Sequence, residues 1–302
     1  MKSLWKKLFL TIRTIFGWWA IGSIILIIIL SGYGVPWTGF GDYTTPTGEF
    51  VRGKTLWNWM ELLIIPFFLA AGAIAVNRSE RKNESLRAEE RAKLEREIAL
   101  DRQQEAALQV YIDRMSDLLV NGALRNAENK EVHNVARIRT LTLLRGLDVT
   151  RKGMVLLFLH EAELINGDKP TIDLSGANFE NIEIDHANLT HANLFMVNLY
   201  NARFKNAYLE GANLTRANLS FADLAGANLE GANLTLANLS NTNLENSNLK
   251  SSTLYSANMK DAKLAGASLK SANLTGINFS DNQLEKTKSL KGAIMPDGTI
   301  HE

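Results

Sequence analysis

From Leu174 to Leu284 a large apolar residue occupies every fifth position, and the residues between keep a fixed order. The series opens Leu174, Phe179, Ile184, Leu189 and closes Leu269, Leu274, Phe279, Leu284 without losing phase. Two residues before most of them sits a small residue, usually Ala, with Ile172, Ile182, Val197 and Ile277 as exceptions, and between them usually Asn, so the unit reads A-N-L-x-x. A period of five fits neither a helix at 3.6 nor a strand at 2. Only a ribbon that turns every few residues buries every fifth side chain, and such a solenoid binds more often than it catalyses.

Upstream the pattern changes to long apolar runs. Ile15 to Leu30, with its flank through Trp37, and Leu56 to Val76 each reach the roughly 20 residues that a bilayer core requires. The expectation is a transmembrane hairpin over 1–76, with spans at about 15–35 and 56–76 and an outside loop at 36–55. Lys2, Lys6, Lys7 and Arg13 precede the first run, and Arg78, Arg81 and Lys82 follow the second. This bias places both termini in the cytoplasm, with Arg78, Arg81 and Lys82 against anionic headgroups. A cleaved signal peptide is the alternative for the first run, but no A-x-A-like site follows Leu30. Within the second run, Glu61 is a candidate intramembrane functional residue, set against a carboxylate reaching headgroup water. Pro66, the other candidate there, leaves the Leu62 carbonyl without its helical partner.

Residues 77–109 lack Pro and Gly and are rich in Glu, Arg, Lys, Ala and Leu, which predicts a helical stalk. Leu86, Leu94 and Ile98 form only a thin stripe, so a solvated helix competes with coiled-coil pairing. Over 110–167 three apolar patterns at helical spacing predict a small helical module, with Asp148 or Thr150 capping the last helix. Arg137, Arg139, Arg145, Arg151 and Lys152 read either as a phosphate-binding face or as a solvated helix surface. The solenoid then occupies 171–288, and 289–302 forms a cap or tail.

Composition removes several chemistries. The net charge is +1 and there is no Cys, so disulfides, thiolate metal sites and a Cys nucleophile are excluded. His186 and His191 lie five apart with no third ligand evident, so no metal site is expected. No nucleophile elbow, zinc-protease motif or Walker loop is present. The chain is expected to be no enzyme and to need no cofactor.

The unbroken A-N-L-x-x array resembles the pentapeptide-repeat proteins. That resemblance implies a right-handed quadrilateral β-helix with four repeats per coil and between five and six coils. The stretches Tyr111-Ile112-Asp113-Arg114-Met115-Ser116, Ala136-Arg137-Ile138-Arg139 and Met295-Pro296-Asp297-Gly298 also resemble a membrane-anchored, cyanobacterial-type bacterial subgroup. It implies the bacterial inner membrane as location.

With four repeats per coil, outward positions align every 20 residues. Phe195, Met196, Leu236 and Tyr255 then share one face, Tyr200 and Phe221 an adjacent one, and Glu210, Glu230, Lys250 and Lys270 a third. The first two groups form a candidate partner-binding patch. The functional expectation is a membrane-anchored scaffold or adaptor for protein–protein interaction. Its partners would be an unidentified protein and the lipid bilayer, with no nucleic acid and homo-oligomers possible. An oligomerising membrane effector or channel-like protein is the alternative. Some family members look like duplex DNA and protect a topoisomerase. From Asp173 to Leu284 ten acids stand against seven bases, which is weak charge for DNA mimicry.

Overall fold

The structure, a computed structural model, describes residues 42–53, 56–126, 129–277, 279 and 281–302. The chain divides into two compact units after Leu94. In the first, β1 (Tyr43–Thr44) pairs antiparallel with β2 (Phe50–Val51) around a turn at Gly48, whose N–H donates to the Thr45 carbonyl at 2.8 Å. Helix α1 follows, from Leu56 to Val120.

The membrane expectation is corrected here. The second apolar run is not a separate span; it is the opening of α1, which continues through Pro66 into the charged segment. The run ends at Val76, where Asn77 and Arg78 continue the same helix. Among the described residues no helix is long and apolar enough to cross a membrane. The integral-membrane location with cytoplasmic termini, and the hairpin on which it rested, are therefore set aside. The first expected span lies outside the described residues.

The second unit begins at Glu95. Leu108, Tyr111 and Met115 on α1 bury against α2 (Lys130–Gly146) and α3 (Val149–Glu161). Tyr111 Oη lies 2.7 Å from Thr140 Oγ1, and burial pushes the phenol up to about 12, so that contact stays neutral across physiological pH. Asp148 caps α3, its carboxylate accepting from the Arg151 N–H at 2.9 Å. The Arg151 guanidinium also reaches Asp101 at 2.7 Å and Glu105 at 3.1 Å on α1, so it ties two helices together. Partial burial alone would raise the Asp148 carboxyl, but the Arg151 N–H and guanidinium outweigh it and hold the group below the usual aspartate range. A depressed folded pKa contributes stability that is present above the unfolded value and lost as pH falls through the folded one. Asp148→Asn keeps a capping side chain and removes the charge. It is expected to cost under about 1 kcal/mol at pH 7 and to flatten acid unfolding below about pH 4, read by circular dichroism against pH.

From Asn178 onward the chain is a β-helix. Parallel bridges join residues 20 apart, such as Asn178↔Asn198, Asn198↔Asn218 and Asn218↔Asn238, so four repeats close one coil. Each large apolar residue and each small one before it points to the axis. Leu199, Ala202, Phe204 and Ala207, for example, are all buried. The axis is narrow, which is why the second inward slot is Ala. Three consecutive slots instead hold Thr242, Ser247 and Ser252, whose buried hydroxyls donate to the carbonyls of Leu219, Leu244 and Leu249 at 2.7–2.8 Å.

Both ends are occupied. Helix α3 lies on the first coil: His160 Nε2 is 2.9 Å from the Thr190 carbonyl, and Asn166 bridges Ala192. Arg137 donates to the carbonyls of Asp173 and Ser175 at 2.9 and 3.0 Å, so it is a structural clamp. A Cβ added to Gly153 would come within 2.9 Å of Ile184 Cγ2. Alanine is the better helix former by about 1 kcal/mol, but Ile184 is branched and held in the first coil. Gly153→Ala is expected to destabilise by about 1–2 kcal/mol, seen as a lower urea midpoint. At the far end, α4 (Asp281–Leu284) interrupts the pattern and pairing resumes one residue out of step, with Ser268↔Ser289 and Asn273↔Ile294. Ile300 then turns back to pair antiparallel with Ile294.

Candidate functional site

Each corner of the coil is a β-turn. The N–H of the small residue donates to the carbonyl of the preceding large one, as from Ala202 to Leu199 at 3.1 Å and from Ala237 to Leu234 at 3.0 Å. The third residue of the turn has positive φ at every repeat from Gly176 to Gly276. That is the requirement of a type II turn, and Gly or Asn meets it at least cost. A large L-residue in this left-handed region costs roughly 1–2 kcal/mol.

Most turns obey the rule with Gly, Asn, Ser or Asp, and two carry His186 and His191. Four do not: Met196 at φ 55°, Arg216 at 57°, Phe221 at 63° and Leu236 at 58°. With 20 residues per coil, Met196, Arg216 and Leu236 stack on one corner and Phe221 stands on the next. All four therefore border the same side of the β-helix.

Down the middle of that side runs an asparagine ladder. Asn198, Asn218, Asn238 and Asn258 each donate from Nδ2 to Oδ1 of the Asn one coil earlier, at 2.9–3.2 Å. The same Oδ1 atoms accept from the N–H two residues on, as from Tyr200 to Asn198 at 3.2 Å. Side-chain amides thus satisfy one another and the turns, and the strip between the corners is held rigid. On its flanks, Phe195 and Tyr255 share the corner of Met196 and Leu236. Across the strip, the rings of Tyr200 and Phe221 meet at 5.5 Å between centroids, tilted by 59°.

The six residues of the predicted patch are thus assembled on one side as two apolar edges about a polar strip. Met196, Phe221, Leu236 and Tyr255 remain 46%, 51%, 44% and 47% exposed, so the core does not explain them. Sequence reasoning puts Arg216 on this face but not in the patch, where it stands exposed between Met196 and Leu236, and it missed the strain. The available signal was a bulky residue in a slot that Gly, Asn and Ser otherwise fill.

The other predicted residues fall elsewhere. Pro66, Arg78, Arg81 and Lys82 lie exposed along α1, and the Glu61 side chain lies outside the described residues. Without a membrane span among the described residues, the lipid role assigned to the three basic residues loses its premise. His186 and His191 occupy turns on two different corners. Among the described residues no group of three metal-ligating side chains converges.

A coiled array of five-residue repeats, four to a coil, defines a solenoid protein. The family model described as pentapeptide repeats matches residues 172–211, 212–251, 242–281 and 257–294. A pentapeptide repeat protein of the Arabidopsis thaliana thylakoid lumen is similar at 34% identity, over 37% of this chain and 70% of that one, with a TM-score of 0.27. A second, from the cyanobacterium Cyanothece, is 30% identical over 45% of this chain and 67% of that one, with a TM-score of 0.18. A third, from Nostoc, is 32% identical over 32% of this chain and 69% of that one, with a TM-score of 0.19. No curated protein matches the chain. The chain belongs to the pentapeptide-repeat family, and the right-handed β-helix is the fold that this membership implies.

Proposed function

We propose that the protein is a rigid interaction module, whose β-helix captures a protein partner on the side bordered by Met196, Arg216, Leu236 and Phe221. One observation carries this reading: every large residue forced into the left-handed turn position, imidazoles apart, stands at the two corners of that side. Strain of this kind persists where something other than folding retains it, and interaction surfaces are such places. The partner would lay apolar side chains along the Phe195–Tyr255 edge and the Tyr200–Phe221 pair, with Arg216 and the asparagine strip fixing its orientation. Aromatic, Met and Arg side chains of this sort are enriched at the centres of protein interfaces.

DNA mimicry is the weaker reading. It calls for an acidic surface throughout, whereas Lys250, Lys260, Lys263 and Lys270 gather in the later coils.

The test compares proteins captured from native extract by the full chain and by a Phe195→Ser/Leu236→Ser variant. Phe195 gives up partial burial while Leu236 leaves a strained turn, two opposed effects of about 1 kcal/mol each, so the urea midpoint is expected to move little while a reproducible partner is lost. Equal capture by both chains would sink the reading.

A further inference from the structure

A different corner carries a charge pattern that the interaction side does not use. Thr190, Glu210, Glu230, Lys250, Lys270 and Lys291 stand in one column, one residue per coil. Glu230 and Lys250 are joined at 2.6 Å, and the backbone bonds Ser251 N→Lys270 O and Ser271 N→Lys291 O, both near 3 Å, carry the column across the register slip. Neighbouring coils repeat at about 4.8 Å, so the column reads as an evenly spaced sequence of two acids followed by three bases. The Glu210 and Glu230 carboxylates are held in place by Asn228 and Asn248 at 3.3 and 3.1 Å. The third turn residue at this corner is His191 beside Thr190, then Gly211, Gly231, Ser251, Ser271 and Gly292, so apart from the His191 imidazole, which lies over Gly211, nothing bulky stands over the charges. The same slot on the interaction side holds Met196, Arg216 and Leu236.

We propose that this corner is the contact between two copies of the chain, packed side by side with their β-helices antiparallel. A two-fold axis between Glu230 and Lys250 sets Glu230 opposite the second copy's Lys250, Glu210 opposite its Lys270, and Thr190 opposite its Lys291. Each relation is returned by symmetry, as an isologous interface requires. Glu230 and Lys250 from both copies then form a ring of alternating charge. A parallel arrangement in register would face Glu with Glu and Lys with Lys, so the column selects one orientation as well as one partner. The surrounding charge agrees. Residues 173–249 carry eight acids and three bases, and residues 250–295 carry three acids and seven bases. An antiparallel pair therefore sets acidic coils beside basic ones over the length of the array. The interaction side, bounded by other corners, stays open on both copies, and a paired scaffold would hold a divalent partner with higher avidity.

Exposed ion pairs are individually weak and are screened by salt, so the association is expected to be modest and salt-dependent. In analytical ultracentrifugation at low salt, the full-length protein is expected to dimerise at about 10–100 µM and to dissociate at least tenfold more readily near 1 M salt, where the screening length is about 3 Å. Lys250→Glu/Lys270→Glu leaves four consecutive acids with only Lys291 basic, and Glu210→Lys/Glu230→Lys makes the charged column wholly basic. Each variant alone is expected to be monomeric, an equimolar mixture to form a heterodimer, and the combined four-site swap to recover the homodimer. The chain has no Cys, so Thr190→Cys in one copy and Lys291→Cys in another should cross-link on mixing, whereas Thr190→Cys alone should not. A wild type that stays monomeric at low salt overturns the proposal. So does a dimer that survives either two-site variant, or a mixture that fails to pair. Neither variant alters the Phe195–Tyr255 side, so a partner with a single binding site should be captured as by wild type, and failure of one reading leaves the other standing.

Discussion

Leu229→Ala is expected to destabilise the β-helix by about 2–5 kcal/mol, measured as a fall in the urea midpoint. Leu229 is fully buried, and so are Leu209 and Leu249, which stand one coil before and after it. The loss has two parts: the transfer energy of the removed carbons and the cavity left on the axis. The cavity cannot close readily, because the coils above and below are fixed by ladders such as Leu229 N→Asn248 O at 2.7 Å and Leu209 N→Asn228 O at 2.7 Å. In a solenoid each coil contacts mainly its neighbours, so the defect should also divide the unfolding transition. Leu284→Ala, at a half-buried position beside the register slip, is expected to cost under about 1 kcal/mol by the same rule of burial. Equal losses at the two positions would mean that the axis collapses freely and that the coil is held by its ladders alone.

The triple substitution Met196→Asn/Phe221→Asn/Leu236→Gly is expected to raise stability, by about 2–3 kcal/mol in sum. Each residue leaves a slot where φ is 55–63° and where a large side chain is disfavoured by roughly 1–2 kcal/mol. Part of that gain is returned through the greater unfolded-state freedom of Gly. About half of each side chain is buried, and losing that contact returns up to about 1 kcal/mol apiece. The sign is the informative quantity: removing three large apolar residues from a core would destabilise, and removing them from strained turns should not. Thermal unfolding should therefore move upward while partner capture falls, a trade of stability against function. A lower midpoint would show that these side chains hold the coil together, and the argument from strain would fail with it.

The period of five, the alternation of Leu with Ala, and the Asp148 cap could all be read from the residues, because each depends on local spacing and side-chain size. Three features could not. The left-handed turn slot is a backbone property, and Gly, Asn, Ser, His and Leu all occupy it, so no single residue type marks it. The hydroxyls of Thr242, Ser247 and Ser252 sit where Ala is the rule, and only the fold supplies the carbonyls that accept from them. The slip near α4 depends on a register across coils that are 20 residues apart in the chain. The membrane reading failed for a related reason. An apolar run in a sequence carries no boundary of its own, and here the described part merges into a long polar helix. The proposed interaction side was half legible: the four repeats per coil that the family resemblance implies placed Phe195 near Leu236, but the cost of holding Met196 and Leu236 there is visible only in φ.

A ladder of identical steps has no internal reason to end. Every coil offers the next the same row of N–H and carbonyl groups, and an open row of that kind recruits further strands from any chain that fits. Here the two terminal rows are closed by dissimilar means. Helix α3, with the clamp from Arg137, covers the first. The offset coil after α4 and the Ile294↔Ile300 pairing cover the last. These end pieces act as brakes on polymerisation: they keep the stack a countable object, a few coils long, rather than the seed of a fibre.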